Sequence, residues 1–98
     1  MSSKNKPIAN PLVVLREEFD EWAILFDPDS GNAFGLSPIG VFIWKLLDGN
    51  YTIEEILRKI NNNFEDVSEN AKEDINNFIK QLVEQGMVGY EMNRIDKN

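Results

Sequence analysis

Three acidic groupings in this chain invite a chemical reading: Asp27-Pro28-Asp29-Ser30-Gly31, the pair Glu54-Glu55 and the pair Glu73-Asp74. A calcium loop opening at Asp27 needs an oxygen ligand at its fifth place, glycine at its sixth and glutamate at its twelfth. Those places hold Gly31, Asn32 and Pro38. Pro28 presets φ, Asp27 can accept from backbone N–H groups and Gly31 tolerates positive φ, so a hairpin turn is expected instead. Adjacent carboxylates do acid–base work when a pocket separates their pKa values. Both pairs fall on polar faces of predicted helices with no apolar pocket implied around them, and they read as solvated charge. Gly31, Gly35 and Gly40 match neither the dinucleotide nor the P-loop spacing.

The composition narrows the chemistry further. Cysteine and histidine are both absent. That removes thiol nucleophiles, zinc–thiolate sites, the commonest general base and the commonest metal ligand. The 98 residues suffice for one core, and no apolar run approaches the ~20 residues of a membrane span. The start, MSSKNKPIANP, lacks the apolar stretch of a signal peptide, so a cytoplasmic protein is expected. The net charge of −7 disfavours a long polyanion such as DNA and suits basic or neutral peptides, with solubility as the plainer reading of the charge.

The elements that must position any site are clearest over residues 31–53: a short strand, an abrupt turn into an apolar helix, a glycine stop and the opening of a second helix. Residues 12–15 are expected to form a first strand and 16–21 a turn. Trp22-Ala23-Ile24-Leu25-Phe26 predicts a second strand. Trp22, Ile24 and Phe26 share one face, Ala23 and Leu25 the other, and both faces are apolar. Helices can cover one; the N-terminal arm, a second copy or a partner must cover the other. Residues 32–36 return as a third strand, in which Gly35 suggests a bulge or a close backbone approach.

Ser37-Pro38 opens the first helix, serine as N-cap and proline at the first helical position. Ile39, Phe42, Ile43, Leu46 and Leu47 form its apolar stripe, widened by Val41 and Trp44, and Gly49 ends it. Thr52-Ile53-Glu54-Glu55 is a capping box for a second helix with the stripe Ile53, Ile56, Leu57, Ile60 and Phe64. A third helix begins near Ser68, carries Ala71, Ile75, Phe78, Ile79, Leu82 and Val83, and stops at Gly86. Met87-Val88-Gly89-Tyr90 is either a short strand or a segment packed back on the core.

This order, β-β-β-α-α-α, predicts an α+β fold in which a three-stranded antiparallel sheet is followed by three helices, a winged-helix-like arrangement. A flexible N-terminal arm at 1–11, a single domain at 12–92 and a loose tail at 93–98 complete the organisation. A winged-helix DNA-binding regulator is the alternative function. Its recognition helix would carry Glu69, Glu73, Asp74 and Glu84 against Lys72 and Lys80, the wrong sign for phosphates.

With these residues in hand, the chain resembles the PqqD family of small peptide chaperones, also described as precursor-peptide recognition elements. The likeness runs through residues 22–28, Gly31, Leu36-Ser37, Ile43-Trp44 and Leu47-Asp48-Gly49. It continues through Thr52-Ile53, Ile56, Ile60, Phe64, Asp74-Ile75, Phe78-Ile79, Leu82 and Gln85-Gly86-Met87-Val88. Ser37 stands where the family often has asparagine, and it caps a helix equally well.

The resemblance implies a non-catalytic module, without cofactor or metal, that binds the leader of a ribosomally made precursor peptide. It would present that leader to a modifying enzyme, radical SAM or other. The leader would add as a strand to the edge at Asn32, Ala33, Phe34 and Gly35. It would lie against the third helix near Lys72, Asn76, Ile79 and Val83, with the opposite flank open because sequence does not fix helix rotation. Core membership is the alternative for Ile79 and Val83. Neither a nucleic-acid nor a membrane partner is implied, and a weak homodimer is compatible. About two or three apolar anchors at ~1.5–3 kcal/mol each must supplement the strand hydrogen bonds.

Overall fold

In the computed structural model, which describes residues 6–90, the elements run β1 (Pro7–Ala9), β2 (Val14–Glu17), a 3-10 turn (Phe19–Glu21), β3 (Ala23–Phe26), β4 (Ala33–Leu36), α1 (Pro38–Trp44), α2 (Ile53–Asn63), α3 (Ala71–Glu84) and β5 (Val88–Tyr90). The expected tail at 93–98 and the first five residues of the expected arm lie outside the described residues.

Alternation in the most β-prone segment sets the main sheet. β3 is its central strand, antiparallel to β2 on one side and β4 on the other. Ala23 and Leu25 are buried while Ile24 and Phe26 point away. The register sets Leu25 opposite both Leu15 and Phe34, and Ala23 opposite Leu36, so one apolar row faces the helices. That row joins Ile43, Ile56, Ile60, Ile75, Ile79 and Leu82 in a single core. Each fully buried aliphatic side chain there contributes about 1.5–3 kcal/mol.

The β3–β4 connection is the expected turn. The Asp27 carboxylate accepts from the Asp29 N–H at 3.0 Å and from the Ser30 hydroxyl at 3.1 Å, and Gly31 takes φ +79. The capping residues also act as expected. Ser37 accepts from the Gly40 N–H, and Thr52 and Glu55 close a reciprocal capping box at 3.2 and 2.9 Å. α3 starts three residues after Ser68, because the Ser68 hydroxyl and carbonyl bind the N–H groups of Asn70 and Ala71 and form a separate turn first. It ends in a Schellman motif: Met87 N–H donates to the Leu82 carbonyl, Gly86 N–H to the Val83 carbonyl, and Gly86 has φ +76.

α1 differs from expectation in length and rotation. It ends at Trp44, and Leu46 and Leu47 sit in the turn that follows. Gly40 is its close-packed position: a Cβ there would stand 3.4 Å from Leu36 and 3.6 Å from Phe78. Val41, Ile43 and Trp44 face inward, and Ile39 is at the surface.

The described part of the expected arm is structured. β1 pairs antiparallel with β5, setting Pro7 opposite Tyr90 and Ala9 opposite Val88. Ala9 N–H donates to the Leu47 carbonyl at 2.8 Å, Gly49 N–H to the Pro7 carbonyl at 3.2 Å, and the Asn10 side chain to the Gly86 carbonyl at 3.0 Å. This second, two-stranded sheet ties the two ends of the described residues to the segment that follows α1.

Candidate functional site

The free margin of β4 is set by the hydrogen-bond alternation of the sheet. Asp27 N–H donates to the Asn32 carbonyl at 2.9 Å, so that pair is a hydrogen-bonded one. In an antiparallel ladder such pairs alternate. Phe34 and Leu36 therefore exchange bonds with Leu25 and Ala23, while Ala33 and Gly35 turn their N–H and C=O groups away from the sheet. Glu18 N–H donating to the Trp22 carbonyl fits the same phase on the other side of β3. The margin thus offers two donors and two acceptors, with no charged side chain in the strand. A Cβ on Gly35 would meet nothing within 4 Å, and its φ is not in the left-handed region. The fold itself does not require glycine there, whereas a second backbone passing close by would favour it.

Beside this margin runs a groove of about 600 Å³. Phe34, Gly35 and Leu36 of β4 form one wall, and Ala71, Asp74, Ile75 and Phe78 of α3 form the other. Its lining also includes Ser37, Ile39, Gly40 and Ile43 at the start of α1, Trp22, and Asp66, Val67 and Ser68 of the α2–α3 connection. The Phe34 and Phe78 rings meet at 6.2 Å between centroids and 53° between planes, linking strand to helix. An extended segment laid along β4 would direct alternate side chains into this space.

Of the expected contacts, Asn32, Ala33, Phe34 and Gly35 lie at or on the margin, and Phe34 and Gly35 also line the groove. The four on α3 lie on its other flank. Lys72 is ion-paired with Glu54 of α2 at 3.1 Å, and Ile79 has 0% exposure, a core residue. Asn76 and Val83 are exposed, but neither lines the groove. The rotation of α3 brings Ala71, Asp74, Ile75 and Phe78 to the groove instead, the flank left open by sequence. Ile39 and Asp66 were not singled out as contacts. A bulky side chain one place after the helix-opening proline was the available signal for Ile39; Asp66, at φ +56 in a turn, gave none.

The other chemical candidates resolve into structure. Asp27 closes its turn. Glu55 serves the capping box, and its carboxyl is held below the ordinary 4.5, chiefly by the Thr52 backbone N–H. Among the described residues, no three acidic side chains are grouped to hold a metal, and no helix is long and apolar enough to cross a membrane. The exposed side of α3 carries Glu73, Asp74 and Glu84, and Lys72 is engaged by Glu54, which lends the DNA-binding alternative nothing. The second face of β3 is open among the described residues: Ile24 is 39% and Phe26 42% exposed.

Comparison with known proteins gives a family and a fold. Residues 23–88 match the family described as coenzyme PQQ synthesis protein D (PqqD). No curated protein matches the chain. Among solved structures, TbiB1 in complex with the TbiA(beta) leader peptide superposes with a TM-score of 0.71 at 23% identity, over 88% of this chain and 99% of that one. A lasso peptide synthetase B1 complexed with the leader peptide gives 0.70 at 20% identity, over 86% and 98%. The heterocyclase TruD gives 0.61 at 19% identity, over 89% of this chain and 12% of its own.

Proposed function

The chain belongs to the PqqD family, and from that premise we propose that it is a non-enzymatic module that binds the leader of a ribosomally made precursor peptide and presents it to a modifying enzyme in the cytoplasm. The leader adds antiparallel or parallel to β4 and drops alternate side chains into the groove against α3. The observation that carries this reading is the pairing of the outward N–H and C=O groups of Ala33 and Gly35 with an apolar groove directly beside them.

Magnitudes assign the parts their roles. Four margin hydrogen bonds return roughly 2–6 kcal/mol, while ordering about five peptide residues costs roughly 5–10 kcal/mol. The ladder therefore sets register, and burial of about two or three apolar anchors on Phe34, Ile39, Ile75 and Phe78 supplies the surplus at ~1.5–3 kcal/mol each. TbiB1 and the lasso peptide synthetase B1, each solved with a leader peptide, lend support as neighbours in fold. A radical SAM enzyme is the recipient the family suggests, and the occurrence of a like fold within a heterocyclase chain supports peptide-modifying enzymes of other classes as well.

The test is titration of the isotope-labelled chain with the leader of a precursor encoded beside it. Amides of β4 and of the Ala71–Phe78 side of α3 are expected to shift, with Asn76 and Val83 changing less. A leader that binds while β4 remains unperturbed overturns the proposal.

A further inference from the structure

The polar chemistry of the groove is one-sided. Its lining includes two carboxylates, Asp66 and Asp74, and no lysine or arginine. Among the described residues neither carboxylate has an ion-pair partner, whereas Lys72 is held by Glu54 and Lys45 by Glu17, both away from the groove. The two lining serines already accept helix-start or turn N–H groups, Ser37 from Gly40 and Ser68 from Asn70. Their hydroxyl hydrogens remain as neutral donors, and among the described residues the two carboxylates are the only charged side chains in the lining.

The opening turn of α3 works in the other direction. Its free N–H groups amount to about half a positive charge, roughly a quarter of what two carboxylates supply. Asp74 lies in that first turn and offsets it further. The field over the groove remains negative, in a chain whose net charge is −7.

Resting on the proposed strand addition, we propose that the groove selects a peptide in which a lysine or arginine flanks the apolar anchors, with Asp66 and Asp74 reading that cation. The apolar walls hold the anchors, and the carboxylates discriminate among segments that would otherwise fit equally. A glutamate at the same peptide position is rejected by the same two groups.

A random decapeptide library displayed on phage and selected on the immobilised full chain tests this. Peptides enriched by the unaltered chain are expected to place lysine or arginine within two residues of an apolar side chain. Asp66→Asn with Asp74→Asn should abolish that bias and keep the apolar one. Asparagine suits both sites, tolerating the positive φ of residue 66. For one enriched peptide made synthetically, each substitution should weaken binding about two- to fivefold at low salt, and changing the peptide's lysine to glutamate should weaken it more. Apolar enrichment with no basic bias, or a bias unchanged in the double variant, overturns the proposal and leaves strand addition standing. Enriched peptides that bind Gly35→Pro as tightly as the unaltered chain overturn both.

Discussion

The main sheet has two margins, and they are built differently. By the alternation of the ladder, β2 turns the backbone groups of Leu15 and Glu17 outward just as β4 turns those of Ala33 and Gly35. Yet β2 is lined by charge. Arg16 pairs with Glu18 at 3.0 Å, and Glu17 reaches Lys45 at the end of α1 at 3.1 Å. Charged side chains along an edge discourage pairing with another chain. β4 carries no charge, contains a glycine that its own packing does not need, and borders the groove; no residue of β2 lines that groove. An open edge becomes a binding site only when side-chain anchors lie beside it, because the hydrogen bonds alone do not cover the entropy of ordering a peptide.

Breaking the β4 margin gives the largest expected effect. Ala33→Pro and Gly35→Pro each delete an outward N–H while sparing the bonds to β3. Each should weaken leader binding about tenfold to a hundredfold by calorimetry, since an acceptor on the peptide is left unsatisfied at ~1–3 kcal/mol. Thermal stability should move little. Phe34→Pro removes a bond to β3 and the ring contact with Phe78 and should destabilise the fold itself. Next in size, Ile39→Ala trims an exposed groove residue and should cost about 1–2 kcal/mol of leader affinity with near-normal melting.

The comparison is sharpened by discharging the other margin. Arg16→Thr combined with Glu17→Thr should leave leader affinity within about twofold, the scale of surface substitutions, while raising concentration-dependent self-association in sedimentation. The smallest effect on binding is expected from Thr52→Ala, which opens the α2 capping box far from both margins. It should cost about 1 kcal/mol of stability and nothing in affinity. Glu55, whose folded-state pKa lies below 4.5, contributes stability that is present above that value and lost as pH falls through the lower folded value. Acid titration of the melting temperature should therefore show a shallower decline in Glu55→Gln, which removes the titrating carboxyl, than in the unaltered chain.

Much of this was legible in sequence where local chemistry decides the outcome. The β3 alternation, the Asp27 turn, the Ser37 and Thr52 caps and the Gly86 stop depend on residues within a few places of one another. Rotation was not legible. The stripe of α1 named Ile39 as core, but Ile39 is exposed, while Gly40 packs beside Phe78 of α3, a neighbour nearly forty residues away that no local pattern reveals. The same holds for α3. Its broad apolar face allowed either flank, and the ion pair of Lys72 with Glu54 lies on the side facing α2, with the groove on the other. The β1–β5 sheet pairs three residues with three across nearly the whole chain, leaving almost no local signature. The third strand itself was legible from its place between the Asp27 turn and the Ser37 cap, and β4 lies at the edge of the sheet; its part in binding came from the family resemblance.

Amide hydrogen exchange, residue by residue and with and without leader peptide, tests the central claim most directly. The expected result is new protection at Ala33 and Gly35, whose N–H groups face solvent in the free chain, with no new protection at Leu15 and Glu17. Phe34, already bonded within the sheet, should change far less. Protection gained at Leu15 and Glu17, or a bound leader that leaves Ala33 and Gly35 exchanging freely, would contradict it.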